Sequence, residues 1–301
     1  MAKQYRIYQI DAFTKEKLKG NPAGVVTNAD GLSEQQMQEI AREFNNSETA
    51  FILSPEDDSY DVRVRFFTPT SEVPICGHAT IAAHYARALE NHFENTTQVL
   101  QKTNAGILPV DIIREDDDYK IVMTQGKIEV GEALSTEVQQ MLTTALGITQ
   151  RDILEGCPVA IASTGHSKVM IGIKDQNILH HLQPYMDSLI RLSSRIGCNG
   201  YYVFTMNQKE DPMIHGRMFA PAIGISEDPV TGNANGPLGA YLIHYNLVAH
   251  NNDLYTFHAV QGEAIGRPGR MEVQVKITDN QPIGVKIVGN AVVAFSAELE
   301  L

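Results

Sequence analysis

The residues equipped for chemistry gather in short stretches. The first is "EVPICGHATIAAHY" (Glu72–Tyr85), where Cys76, Gly77 and His78 stand directly before an apolar, helix-like run. Three readings fit: a metal site, a reactive thiol, or a helix start whose backbone N–H groups hold an anion. The metal reading is the weakest. His78 and His84 lack the spacing of a helical His pair, and His180-His181 has no carboxylate or thiol framework near it in the sequence. Cys76 is either a proton carrier activated by a helix N-terminus or a buried, inert thiol of the common kind. The second stretch is "NNSETAFIL" (Asn45–Leu53), which puts Glu48 at a helix-to-strand transition followed by apolar residues. A carboxylate partly withdrawn from water there is a competent base; the plainer reading is a solvated residue at a strand start.

These stretches belong to a repeat. "RFFTP" (Arg65–Pro69) followed by "EVPICGHA" (Glu72–Ala79) matches "RMFAP" (Arg217–Pro221) followed by "EDPVTGNA" (Glu227–Ala234). Both copies obey R-x-F-x-P, then E-x-P-x-x-G-x-A, and both enter an apolar helix. Ordered matches of this kind point to a duplicated α/β unit. Gly77-His78 and Gly232-Asn233 would then be equivalent helix starts, each offering backbone donors and a positive dipole end to a carboxylate. Facing copies would bring both to a cleft between domains, the usual place for a small ligand. Asp228 lies in the second copy, where its plain reading is an acidic loop residue. Thr231 stands where the first copy has Cys76, so a symmetric pair of thiols is not available.

The elements that must position these groups are legible in part. "YRIYQIDAF" (Tyr5–Phe13) and "GVVT" read as strands. Ser33 and Gln36 form a capping box, Leu32 can staple onto Met37, and Met37, Ile40, Ala41 and Phe44 make a buried stripe that ends near Asn45-Asn46. "ETAFIL" and "DVRVRFF" are strands, Ala79–Leu89 is a buried helix, and "ILPVDII" with "YKIVMT" make a hairpin. In the second half, Ser135–Leu146 is a helix showing Val138, Met141, Leu142 and Ala145, stopped by Gly147. "KVMIGI" and "GYYVF" are strands, Asp187–Ile196 is a helix ending at Gly197, and Gly236–Tyr245 is a second apolar helix. "LYTFHAV", "RMEVQVKI" and "VKIVGNAVVAF" are strand-like. The expected domains are 1–127 and 128–285, with Lys127–Leu134 as the boundary segment and the strand 286–301 a candidate to return to the first domain.

Composition narrows the function. The chain has 301 residues, 43% hydrophobic and 20% charged, enough for about two globular cores. A formal net charge of -12 argues against nucleic acid and anionic membrane as partners, while local backbone donors still suit a small anionic substrate. No apolar run approaches the roughly 20 residues that span a bilayer, and the start lacks a signal-peptide core, so a cytoplasmic protein is expected. Three cysteines, Cys76, Cys157 and Cys198, without CxxC spacing form neither a disulfide framework nor a zinc ribbon. "GNANGPLG" matches neither the dinucleotide fingerprint nor a phosphate loop, so no nucleotide cofactor is expected.

The blocks "GNPAGVV" (Gly20–Val26), "SETAF" (Ser47–Phe51), "FFTPTSEVPICGHAT" (Phe66–Thr80), "EDPVTGNA" and "QGEAIGRPG" (Gln261–Gly269) run in one order over nearly the whole chain. Together they resemble the phenazine-biosynthesis PhzF-like family. The resemblance implies the diaminopimelate epimerase-like fold, an α/β (α+β) architecture of two pseudo-symmetric domains, each a curved sheet wrapped around a central helix. It also implies cofactor-independent isomerisation, with Glu48 as the base, Gly77 and His78 as the first binding turn, and Asp228 as the second-domain acid. The family's usual Gly-Ser-Ala stands here as Gly232-Asn233-Ala234; Asn233 can donate a hydrogen bond but cannot transfer a proton. The expected function is an isomerase of a small carboxylated metabolite, without metal, nucleotide or pyridoxal, working as a homodimer. Two rivals stay open: a racemase or epimerase using Cys76, and a binding protein that does no chemistry.

Overall fold

The computed structural model describes residues 3–301. In chain order the elements are β1 (Gln4–Ala12), β2 (Asn21–Val26), α1 (Glu34–Phe44), β3 (Thr49–Leu53), β4 (Val62–Phe67), β5 (Glu72–Val73), α2 (Gly77–Asn91), β6 (Thr97–Thr103), β7 (Gly106–Glu115) and β8 (Asp118–Thr124). Then follow β9 (Glu129–Ala133), α3 (Thr136–Leu146), β10 (Ala160–Ser163), β11 (Lys168–Gly172), α4 (Gln176–His181), α5 (Met186–Ile196), β12 (Tyr201–Met206), β13 (Ile214–Ala220) and β14 (Ile225–Asp228). The chain ends with α6 (Gly232–His244), β15 (Leu254–Gln261), β16 (Gly269–Thr278), β17 (Gln281–Gly289) and β18 (Ala291–Glu300). They divide into two compact units, one running up to Thr124 and joined by Val288–Leu301, the other Gln125–Ile287.

In the first unit β1 pairs antiparallel with β18 and β2, β2 runs parallel to β3, and β3 antiparallel to β4. β4 takes β5 antiparallel and β6 parallel, and β6, β7 and β8 form a meander. The sheet curves around α2, which packs on β1, β2, β3, β7, β8 and β18. α2 can occupy this centre because it is alanine-rich: every residue from Gly77 to Ala86 is buried. A large side chain such as Ile81, fully enclosed, contributes about 1.5–3 kcal/mol. Outside the sheet lies α1, which seats Met37, Ile40 and Ala41 against Phe51 and Phe67. Its ends form as the sequence indicates: Ser33 and Gln36 close a capping box, and Asn45 stops the helix in the left-handed conformation with φ 53°.

The second unit repeats this plan. β9, β10 and β11 are successively antiparallel, β11 is parallel to β12, β12 antiparallel to β13, and β13 takes β14 antiparallel and β15 parallel, with β16 beyond. α6 is the central helix, packed on β9, β10, β11 and β16. It comes so near β16 that a Cβ on Gly239 would lie 2.7 Å from Val275 Cγ2. The other face carries a core in which Leu142, Leu146, Leu189 and Leu192 meet Val169, Ile171, Tyr201 and Val203. Met141 remains exposed, unlike the stripe partners expected with it.

The R-x-F-x-P…E repeat is one structural module seen in each unit. Arg65 Nε and Nη2 donate to Glu72 Oε1 and Oε2, each at 2.7 Å, while the guanidinium lies 5.1 Å from the Phe67 ring centre. Arg217 does the same with Glu227 at 2.9 and 2.7 Å, and lies 5.0 Å from Phe219. The arginine joins the longer strand to the short one leading to the central helix, which explains why these three residue types recur together.

Several element boundaries differ from the sequence reading, among them the start of α6 and the last strand run. α6 begins at Gly232 rather than Gly236, with Pro237 inside it. A proline near a helix start removes only one intrahelical donor, and the buried side chains around Thr231 support the added turn. The run "VKIVGNAVVAF" is two strands, β17 and β18, parted at Asn290. Among the described residues, no helix is long and apolar enough to cross a membrane.

Candidate active site

In the first unit the left-handed stop at Asn45 turns the chain out of α1 toward β3. Asn46 fixes that turn by exchanging side-chain hydrogen bonds with Gln9, at 2.8 and 3.1 Å. Ser47 and Glu48 follow, and the Glu48 carbonyl accepts from Gly24 N at 3.4 Å. Glu48 Oε2 then lies 3.5 Å from His78 Nε2, with the two side chains only 16% and 7% exposed. Ser47 Oγ is 3.4 Å from the same nitrogen. On the opposite edge of the ring, Cys76 Sγ is 3.3 Å from His78 Nδ1. The carboxylate, imidazole and thiol therefore form a continuous cluster whose reactive atoms lie within 4.8 Å of one another.

A neutral imidazole has one N–H and one lone pair. If the thiol donates to Nδ1, the remaining N–H is at Nε2, on the edge that faces Glu48. The cluster thus sets a carboxylate beside a ring that can orient it.

Cys76 is the N-cap of α2, but its side chain makes no capping hydrogen bond. The first-turn N–H groups of Gly77, His78 and Ala79 are left without a side-chain cap at the positive end of the helix dipole. The second unit arrives at the same result by other means. Thr231 caps α6 by position and not by hydrogen bond. Its hydroxyl instead donates to Asp228 Oδ2.

Asp228 ends β14 and is buried. Gln261, from the end of β15, binds this turn at several points: Nε2 donates to the Asp228 carbonyl at 2.7 Å and to Thr231 Oγ1 at 3.0 Å, and Oε1 accepts from Thr231 N at 3.1 Å. Asn235 donates to the Thr231 carbonyl at 3.0 Å and accepts from the buried Tyr202 hydroxyl at 2.7 Å. Burial pushes that phenol well above its usual range. Lys168, half-buried at the start of β11, is held below the usual lysine range by burial, with Cys198 and Asp228 acting in the opposite direction. Asn233, the second residue of α6, is partly exposed.

Of the residues singled out in the sequence, Glu48, Gly77 and His78 fall in the first unit and Asp228, Gly232 and Asn233 in the second. Within the first, the fold brings Glu48 to His78 across 30 residues. Sequence reasoning missed Gln261, Asn235 and Tyr202, whose partners are far along the chain. It also missed the carboxylate that approaches His180: Glu263 Oε2 lies 3.2 Å from His180 Nε2. His84, weighed as a metal ligand, is buried inside α2 and bonded to Gln101 at 2.7 Å.

Two like units, each a sheet curled around a helix whose N-terminus lacks a side-chain cap, define a duplicated α/β fold. The chain belongs to the phenazine biosynthesis-like protein family, whose model matches residues 10–297. A protein of Clostridium acetobutylicum named an uncharacterized isomerase is 63% identical, over 100% of both chains. The trans-2,3-dihydro-3-hydroxyanthranilate isomerase of Pseudomonas aeruginosa is 30% identical, over 95% of this chain and 96% of its own. Among solved structures, a phenazine biosynthesis protein of the PhzF family from Bacillus anthracis superposes with a TM-score of 0.87 at 30% identity, covering 99% of each chain.

Proposed function

We propose that this isomerase moves a proton between carbons of a small carboxylated metabolite, using Glu48 as the base and no cofactor. Glu48 takes a proton from carbon, the electron pair shifts within the conjugated system, and the proton returns at another position, so atoms and charge balance. The developing negative charge and the substrate carboxylate are held by backbone donors at the uncapped start of α2, Gly77-His78. His78 steadies Glu48 and the substrate; for Asp228 the proposed role is that of an acid at the equivalent turn of the second unit. The observation that carries this reading is the pairing of a nearly enclosed Glu48 with His78 at 3.5 Å, beside the uncapped start of α2.

The named activity of the Pseudomonas relative makes trans-2,3-dihydro-3-hydroxyanthranilate the first compound to test. Asn233 replaces the family's usual serine and cannot pass a proton, which favours a related carboxylate over that compound itself. A second reading is favoured by the 3.3 Å contact of Cys76 with His78: the thiol would act as an acid/base in a racemisation. The test is incubation of the protein with this compound and a panel of small carboxylic acids in deuterated water. Solvent deuterium entering a substrate carbon supports proton transfer; tight binding with no exchange in any compound would make the chain a binding protein.

A further inference from the structure

The second unit carries another cluster of ligand-type side chains, separate from the Asp228 turn. His215 comes from β13, which is paired on both sides, with Thr205 on β12 and Val260 on β15. His180 comes from the end of α4, whose start is fixed by Asp175 accepting from Asn177 N at 2.6 Å. Glu263 opens a short turn, Glu263–Ile265, set between Gly262 and Gly266, both in the left-handed region. At Gly262 a Cβ would lie 2.3 Å from the Arg267 carbonyl oxygen, so the turn keeps one shape. Three separately anchored elements thus deliver two imidazoles and one carboxylate to a common point.

Glu263 Oε2 lies 2.7 Å from His215 Nδ1 and 3.2 Å from His180 Nε2, and all three ligand atoms fall within 4.8 Å of one another. A tetrahedral ion with metal–nitrogen and metal–oxygen bonds of about 2.0–2.2 Å needs donor atoms roughly 3.3 Å apart. The His180–Glu263 separation already matches that spacing, and the His215–Glu263 separation needs only a small side-chain adjustment. The exposures of His180, His215 and Glu263, 31%, 17% and 30%, leave one side of the cluster open to water. Gln176, with its amide nitrogen 3.0 Å from His215 Nδ1, can present its carbonyl oxygen to the same point by a half-turn of the amide.

We propose that His180, His215 and Glu263 bind a zinc-class divalent cation, with a fourth position for water or Gln176. Two neutral imidazoles and one carboxylate suit such an ion in ligand type and charge. The ion would tie α4 and β13 to the segment after β15, and so brace Gln261, two residues before Glu263, in its bonds to Asp228 and Thr231.

The test is calorimetric titration of zinc chloride into tag-free, chelator-stripped full chain, with thermal unfolding measured alongside. The expected result is one bound equivalent that raises Tm in the wild type and in Cys76→Ala. Loss of a ligand should weaken binding by more than about a hundredfold in Glu263→Gln and His215→Ala, beyond the 10–100-fold typical of groups that merely support ligands. Glu263→Gln keeps the shape of the turn, and its metal-free unfolding curve checks that it folds. Absence of zinc binding in the wild type, undiminished binding in Glu263→Gln, or binding lost in Cys76→Ala would each overturn the assignment.

Discussion

His78 Nε2 stands 3.5 Å from Glu48 Oε2, at the outer limit of a hydrogen bond, so the ring neighbours the carboxylate without gripping it. Such a pair leaves the carboxylate oxygen open to a substrate proton while restricting where the side chain can go. The thiol on the far side of the ring determines what kind of pair this is.

If Cys76 serves only to orient His78, Cys76→Ala should slow proton exchange by no more than about tenfold, roughly 1.4 kcal/mol of barrier. Cys76→Ser, which keeps a donor toward Nδ1, should recover most of that loss. Initial exchange rates of the variants check this. A loss of several thousandfold in Cys76→Ala, unrecovered by serine, would make the thiol the acid/base.

The two arginine clamps should differ in strength. Arg217 is nearly enclosed: besides Glu227 it donates to the carbonyls of Leu179 and Leu182, both at 2.9 Å. Arg65 is shared between Glu72 and the exposed Glu34, and its side chain is 13% exposed against 8% for Arg217. Removing one partner of a buried pair strands the other charge, so Glu227→Gln should destabilise by about 3–5 kcal/mol. Glu72→Gln should cost clearly less. Urea unfolding followed by circular dichroism measures both, and equal losses would show that burial does not distinguish them.

His84 should make stability depend on pH. Burial disfavours its charged form and holds its pKa down from 6.5 to about 4, with the Gln101 contact opposing. Between those values the unfolded chain binds a proton that the folded chain refuses. The contribution is complete above pH 6.5 and falls as the solution is acidified, reaching a loss of about 3 kcal/mol at pH 4. His84→Gln should flatten the acid side of the unfolding free-energy curve by that amount. Parallel curves for variant and wild type would contradict it.

Local signals were the readable part of this sequence. The capping box of Ser33 and Gln36, the stops at Asn45, Gly147 and Gly197, and the buried alanine-rich α2 depend on residues within one or two turns of each other. The repeat revealed the duplication because Arg65, Phe67 and Glu72 interact within one hairpin, and a copied hairpin keeps all of them. The glycines that open α2 and α6, Gly77 and Gly232, stood out because the repeat aligns them. What stayed hidden depends on distant chain: Gln261 supporting Asp228, Tyr202 reaching Asn235, and Glu263 meeting His180 have no local signature. The start of α6 was obscured by Pro237, whose usual meaning is a first-turn residue.

The most direct measurement is the rate of solvent-deuterium incorporation into a turned-over carboxylate by Glu48→Gln beside the wild type. Removing a general base costs on the order of 10²–10⁴-fold, so exchange should drop by at least that range while the Kd for the same compound changes only a few-fold. Exchange at the wild-type rate in Glu48→Gln would contradict the assignment of Glu48 as the base.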